Sequence, residues 1–186
     1  FEKNFGPKLG EIDLEILKYA DDISFTEKVY KVYKAISKTC ENELMKSRDT
    51  IGFVGAPWTI LVYMINRSSP KKGLSSDFFK DDFLINRLLG IIEKFLKLHI
   101  KNQIDAGANV IQIFDSWAGL LKDKIPEYIY IPTLNIVNYI KKLGVPVICF
   151  PRGIKDYKNY CEIVKPDAVN IDYDVDPKKI VNEIKI

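Results

Sequence analysis

Four short apolar runs recur along this 186-residue chain, and segments with a helical pattern separate them. The runs cover residues 50–55, 110–114, 145–150 and 168–172. Strands that are apolar on both faces and alternate with helices are typical of a parallel sheet covered by helices. A (β/α)8 barrel and an open doubly wound sheet both fit this pattern. No Gly-x-Gly-x-x-Gly follows the first run, so the dinucleotide-binding form of the open sheet has no support.

The segments between the runs carry start and stop signals for helices. The predicted helices are one from a Ser-Phe-Thr-Glu capping box at 24–27 to about Met45, one from Pro57 toward Asn66, one over 82–105, one capped by Thr133 and ending at Leu143, a short one before 168, and one opened by Asp176 and Pro177. The polar stretch 66–76 between the second and third helices is predicted to be a loop and a lid over a site. About four strand–helix units are therefore present, which is half of a barrel.

Composition and charge exclude several classes of protein. Hydrophobic residues make up 47% of the chain and charged residues 28%, which excludes wholesale disorder. The net charge of +3 is too small to indicate nucleic acid or an anionic membrane as a partner. No apolar run approaches the ~20 residues that span a bilayer, and residues 1–5 do not begin a signal peptide. We therefore expect a soluble protein with no nucleic-acid or membrane partner.

Histidine and cysteine are scarce. The chain has one histidine, His99, and three cysteines, Cys40, Cys149 and Cys161, without a Cys-x-x-Cys motif. This set predicts reduced thiols in a reducing compartment and no metal site. His99 is expected to be a packed or partly exposed helix residue, and Cys149 is expected to be a core residue of a strand. The chain starts without Met and its last helix reaches Ile186 without a stop signal, so we expect the domain to extend beyond both ends.

In parallel β/α folds, function collects at the carboxyl ends of the strands. Here those ends are residues 55–58, 115–119, 150–153 and 172–173. The second and third of these segments contain polar residues, although a purely structural turn at the same place could carry many residue types. The pattern therefore predicts a site at this edge of the sheet without naming its chemistry.

Two of these segments belong to longer motifs that resemble the uroporphyrinogen decarboxylase family. They are Ile51-Gly-Phe-Val-Gly-Ala-Pro-Trp-Thr-Ile-Leu-Val-Tyr-Met64 and Gln112-Ile-Phe-Asp-Ser-Trp-Ala-Gly119, followed in the expected order by 146–150 and 169–172. The resemblance runs from about Leu14 onward. It implies a (β/α)8 barrel that is usually a homodimer and uses no metal or organic cofactor. It also implies removal of CO2 from the four acetate side chains of uroporphyrinogen, with a protonated pyrrole ring as electron sink, to give coproporphyrinogen.

The resemblance carries five substrate-binding residues onto this chain. Tyr63 matches a tyrosine that hydrogen-bonds the substrate, and Ser116 matches a serine that contacts a substrate carboxylate. Phe53 and Phe114 match positions against the face of the tetrapyrrole. Gly55 matches a small residue where a side chain would obstruct the pocket.

The resemblance also implies that the family's key catalytic groups are not in this chain. The pyrrole-binding aspartate and the arginines that pair substrate carboxylates lie in an earlier segment of the family, and a late histidine lies beyond Ile186. Asp115 is not the key carboxylate, so no catalytic residue is assigned here. We therefore expect these 186 residues alone to be inactive. Residues 66–69 replace a Gly-rich stretch of the family, and Asn170 and Tyr173 replace its glycine and tryptophan.

Alternative interpretations remain at single residues. Trp58 is expected to fill the core. Arg152 either pairs with a substrate carboxylate or forms an ion pair within the protein. Asp172 either orients Arg152 or caps the next turn, and Lys71 with Lys72 forms a solvated turn or an anion clamp in the lid.

Two other functions compete with the decarboxylase. A zinc-dependent methyltransferase of the same superfamily tends to have His-x-Cys-Gly where this chain has Phe-Pro-Arg-Gly at 150–153, so its ligands are missing. A non-catalytic module of the same fold agrees with the missing aspartate, arginines and histidine. The expected location is the cytoplasm, or a plastid-type organelle if a targeting segment precedes the chain.

Overall fold

Four parallel strands form one sheet, in the computed structural model, which describes residues 10, 17, 19–71, 73–74 and 78–184. The strands are β1 (Ile51–Gly55), β2 (Val110–Asp115), β3 (Val147–Pro151) and β4 (Ala168–Val169), in the order β1-β2-β3-β4. Expectations for residues 1–5, Leu14, Lys72, residues 75–76 and Ile186 fall outside the described residues. The predicted parallel α/β architecture is confirmed.

Helices connect and cover the strands. The α-helices are α1 (Asp22–Cys40), α2 (Pro57–Asn66), α3 (Asp82–Asp105), α4 (Ile131–Lys142), α5 (Tyr157–Val164) and α6 (Pro177–Glu183). Short 3-10 turns lie at Glu43–Met45 and Ala118–Leu120, and a π turn at Pro126–Tyr130 leads directly into α4. No described helix is both long enough and apolar enough to cross a membrane.

The two faces of the sheet differ in chemistry. Val54, Ile113 and Cys149 point into a core that they share with helix side chains. The alternate residues Phe53 and Phe114 lie on the opposite face, where Phe53 is 64% exposed. Strands that follow one another in chain order, with their buried side chains facing the helices, fit part of a barrel. A doubly wound sheet reverses its strand order and buries both faces.

Two helices match their predicted limits because local signals decide them. Pro57 occupies the first turn of α2, where its missing N–H costs nothing. The Asp81 carboxylate accepts a hydrogen bond from the Leu84 N–H at the start of α3. Asp176 caps α6 as predicted and accepts a bond from the Lys178 N–H. This helix ends at Glu183, before the chain end to which it was predicted to run.

The predicted capping box at 24–27 is wrong. The Asp21 carboxylate accepts hydrogen bonds from the N–H groups of Ile23 and Ser24, so α1 begins at Asp22 and Ser24 lies inside it. The helix ends at Cys40 instead of reaching Met45. An aspartate at the N-cap satisfies the free amides one turn earlier than the serine could.

The predicted cap at Thr133 is also wrong. The preceding π turn already supplies helical backbone, so Thr133 lies within α4 and is buried. The strand limits differ by smaller amounts: β3 begins at Val147 instead of 145, and β4 covers only Ala168–Val169 instead of 168–172.

Gln103 of α3 fixes the outer edge of β1. Its side chain is 1% exposed, its Oε1 accepts from the Phe53 N–H at 3.0 Å, and its Nε2 donates to the Phe53 carbonyl at 3.1 Å. The amide thus replaces the backbone of a neighbouring strand at one residue. Gly52 is constrained by the same contact, because a Cβ there would lie 2.8 Å from Oε1 of Gln103.

We expect Gln103→Leu to lower the free energy of unfolding by about 2–4 kcal/mol, because it leaves two backbone groups of Phe53 without partners. Asn86→Leu at an exposed position of the same helix is the control and should change stability by less than about 0.5 kcal/mol. Urea denaturation of both variants measures this. Equal midpoints for Gln103→Leu and the unmodified protein would contradict the assignment.

Candidate functional site

A row of three aromatic rings crosses the exposed face of the sheet. The ring centroids of Phe53 and Phe114 lie 6.0 Å apart, and those of Phe114 and Phe150 lie 6.3 Å apart, both in edge-to-face geometry. Phe114 pairs with Gly55 on one side and with Phe150 on the other in the strand register. These rings form a continuous apolar surface that a flat, apolar ligand face can cover.

The turn after β2 is held by the first turn of α2. The Thr59 hydroxyl donates to Oδ1 of Asp115 at 2.7 Å and accepts from the Trp117 N–H at 3.3 Å. The indole N–H of Trp58 donates to the Trp117 carbonyl at 2.9 Å. Ser116 lies between the two residues that Thr59 binds. Trp58 is fully buried, as expected.

Tyr63 lies one turn further along α2, on the side of this turn. Its ring packs edge-on against Trp117 with 6.2 Å between centroids. The structure therefore brings Tyr63 near the residue that follows Ser116, although the two are 53 positions apart in the chain. Both side chains are half-buried.

Phe53 and Gly55 also line a cavity of about 540 Å³ against β1. Its other walls come from α1, α2 and α3, while Tyr63, Ser116 and Phe114 lie outside it. A Cβ on Gly55 would lie 3.2 Å from Cγ1 of Ile60, which is another wall residue. The packing of α2 against β1 therefore disfavours a side chain at this position.

The turns after β2 and β3 are bonded to each other. The Arg152 N–H donates to the Asp115 carbonyl, and the Gly119 N–H donates to the Arg152 carbonyl at 2.9 Å. The backbones approach so closely that a Cβ on Gly119 would lie 2.8 Å from Cα of Gly153. Gly153 has a φ of +81°, which favours glycine. The carboxyl ends of the two strands thus form one connected edge.

Asp172 holds this edge through the backbone. Its Oδ2 accepts from the Gly153 N–H at 2.6 Å and from the Tyr157 hydroxyl at 3.1 Å. Asp172 therefore binds the turn that contains Arg152 without pairing with its guanidinium. The Arg152 side chain is exposed, and the ion pairs formed among the described residues do not include it.

Asp115 is a buried carboxyl at this edge. It is 1% exposed, and burial raises its pKa to about 7, although hydrogen bonds from Thr59 and Trp117 act in the opposite direction. Its Oδ2 has no hydrogen-bond partner among the described residues. Because Asp115 points into the core, it does not face the aromatic row on the other side of the sheet.

Cys149 is buried in the core and His99 is half-buried on α3, as predicted. Nδ1 of His99 lies 2.9 Å from the Tyr33 hydroxyl, and burial lowers the pKa of the ring. Burial raises the pKa of the Cys149 thiol to about 12, so it is not a nucleophile at neutral pH. Within the described ranges, no group of three or more His, Cys, Asp or Glu side chains could hold a metal ion.

The uroporphyrinogen decarboxylase family model matches residues 1–186. The chain belongs to this family. Curated relatives named uroporphyrinogen decarboxylase include one from Campylobacter jejuni, 41% identical over 164 residues, which cover 84% of the chain and 48% of the relative. Another, from Rickettsia bellii, is 37% identical over 179 residues, which cover 92% and 52%.

A third relative of the same name, from Orientia tsutsugamushi, is 36% identical over 186 residues, which cover 94% of the chain and 52% of the relative. The chain spans about half the length of the curated relatives it matches. The family predicted from the two motifs is thereby confirmed.

The structure adds residues that sequence reasoning missed. Thr59 was not singled out, although it is a hydroxyl residue among apolar neighbours in the first turns of α2. Gln103 was also missed. A buried amide near the end of an amphipathic helix gives a weak signal, because its partner, Phe53, is 50 positions away.

The raised pKa of Asp115 predicts a pH-dependent stability. Its folded pKa of about 7 exceeds the unfolded value of 3.8, so the folded state binds more protons in this window. Stability from this group is therefore lost as the pH rises toward 7. Relative to the unmodified protein, Asp115→Asn should gain roughly 2–3 kcal/mol between about pH 5 and about pH 8.

Urea denaturation of both proteins at the two pH values measures this difference. Carbon NMR of the Asp115 carboxyl provides a direct titration. Parallel stability profiles for the two proteins would show that Asp115 titrates normally.

Proposed function

We propose that the protein is a uroporphyrinogen decarboxylase that removes the acetate carboxyls of uroporphyrinogen III to give coproporphyrinogen III without a cofactor. The main support is the family match over residues 1–186. The relatives, which are about twice as long as this chain and are named uroporphyrinogen decarboxylase, also support the proposal. On this proposal residues 1–186 are the central part of one barrel domain.

The exposed aromatic row suits the substrate of this reaction. A tetrapyrrole has large apolar ring faces and carboxylates at its rim. Phe53 and Phe114 offer an apolar surface on the open side of the sheet. We assign both to contact with the rings, and Gly55 to the wall of the adjoining cavity.

Tyr63 and Ser116 are assigned to the substrate carboxylates. Both carry hydroxyl donors near Trp117, at the end of the sheet where β/α enzymes place their sites. A hydroxyl that donates to a carboxylate orients one acetate without adding charge. These contacts also hold the reacting acetate in a fixed geometry against the rings.

The reaction needs one bond broken and one proton added at each acetate. The bond between the methylene and the carboxyl carbon breaks, its electron pair flows into the protonated pyrrole, and CO2 leaves. A proton then reaches the methylene carbon and gives a methyl group, and the ring releases the proton that it had taken up. We assign no residue of this chain to that proton, because Asp115 is directed into the core and cannot reach a ligand on the open face.

The assembly and location of the protein follow from the same proposal. We propose a homodimer of the full-length protein in the cytoplasm, with uroporphyrinogen as its ligand. All three cysteines are free, and two of them are buried. Free thiols in this number fit a reducing compartment.

We expect Tyr63→Phe and Ser116→Ala to lower kcat/KM about tenfold each in the full-length natural protein, because each removes one hydrogen bond to the substrate. An anaerobic assay that separates the porphyrinogens by the number of their carboxyls measures this. Thermal unfolding of both variants should match that of the unmodified protein.

Matched controls are Tyr139→Phe, at a half-exposed tyrosine of α4, and Ser47→Ala, at an exposed serine. Both should keep normal kinetics. If Tyr63→Phe and Ser116→Ala also keep normal kinetics, neither residue binds the substrate. If the unmodified full-length protein makes no coproporphyrinogen, the proposed activity is wrong.

A further inference from the structure

One hydroxyl group, that of Thr59, brackets Ser116 from both sides. It donates its only proton to Oδ1 of Asp115, which precedes Ser116. Its lone pair accepts the N–H of Trp117, which follows Ser116. The Trp117 N–H thus donates to the Thr59 hydroxyl, which in turn donates to the Asp115 carboxyl. These two hydrogen bonds hold the backbone on both sides of Ser116.

The same helix turn holds the next peptide group as well. The Trp58 indole donates to the carbonyl of Trp117, so both backbone polar groups of Trp117 bind adjacent residues of α2. Tyr63 lies four residues after Thr59, which is about one helical turn. Its ring contacts Trp117. A single rigid helix thus carries Tyr63 and the groups that hold the Ser116 turn.

This clamp uses polar groups at a buried position. Thr59 and Asp115 are both buried, and Oδ2 of Asp115 lacks a partner among the described residues. The ionisable groups near Asp115 are the Cys149 thiol and the Tyr160 phenol, whose pKa values burial raises, so both are neutral at neutral pH and neither adds a charge beside the clamp. A buried polar pair costs stability relative to apolar residues of the same shape. The buried Thr59–Asp115 hydrogen bond is therefore better explained by the position it gives the Ser116 turn than by a contribution to stability.

We propose that Thr59 is a positioning residue that fixes Ser116 relative to Tyr63, so that both hydroxyls meet the carboxylates of one bound substrate. This inference rests on the proposed function. Thr59 does not touch the substrate itself. Its effect passes through the backbone on both sides of Ser116.

The test compares Thr59→Val, which keeps the shape and removes the hydroxyl, with Thr59→Ser, which keeps the hydroxyl. In the full-length natural protein, Thr59→Val should raise KM for uroporphyrinogen about tenfold while kcat stays within about twofold. Thr59→Ser should restore KM to within about twofold. If Val and Ser raise KM equally, packing and not the hydroxyl is responsible, and the proposal fails.

A double-mutant cycle separates action through Ser116 from a direct role. In a Ser116→Ala background, Thr59→Val should raise KM less than about twofold, because the positioned group is already absent. A full tenfold rise in that background would overturn the proposal. The matched control is Thr133→Val, since Thr133 is also buried and its hydroxyl has no partner among the described residues. This variant should keep a normal KM.

Hydrogen exchange of the Trp117 amide tests the clamp without any assay of activity. Thr59→Val should speed this exchange about tenfold and Thr59→Ser should not. Unchanged exchange in Thr59→Val overturns the clamp even if the enzyme is active. Faster exchange in a protein that does not decarboxylate supports the clamp and rejects the proposed activity. If Thr59→Val does not fold, Thr59→Ala is measured in its place, with the same expected rise in exchange and in KM.

Discussion

The structure depends on a parallel sheet whose helices pack against one face. Each crossover from β1 to β2 and from β2 to β3 returns the chain to the same end of the sheet, so every strand ends at the same edge. The apolar side chains of Val54, Ile113 and Cys149 pack against the helices. The alternate positions are then free to carry the aromatic rings that the other face presents.

The edge formed by the strand ends is held together by backbone groups more than by side chains. The turn after β2 bonds to the turn after β3, and Gly119 lies too close to the Gly153 backbone to carry a Cβ. Asp172 and Thr59 then attach this pair of turns to the next strand end and to α2. A site built on such turns is rigid although it lies on loops.

Sequence patterns predicted the features that depend on residues close together in the chain. Pro57 predicted the start of α2 and the strand runs predicted the sheet, because each rests on residues close in sequence. The cap at Thr133 failed because a π turn before α4 had already begun the helix. Motif resemblance proposes Tyr63 and Ser116 as site residues, whereas the hydrogen bonds of Thr59 are visible only in the fold. Its partners, Asp115 and Trp117, are 56 and 58 positions away.

The burial of Asp115 has an electrostatic consequence for the neighbouring Ser116. A polyanionic ligand at this edge is repelled by any further negative charge. Because burial raises the pKa of Asp115 to about 7, this carboxyl is about half protonated at pH 7 and largely neutral below that pH, even though it lies beside the proposed ligand of a carboxylate. In its protonated form it accepts the Thr59 hydrogen bond and shapes the turn without repelling a polyanionic ligand.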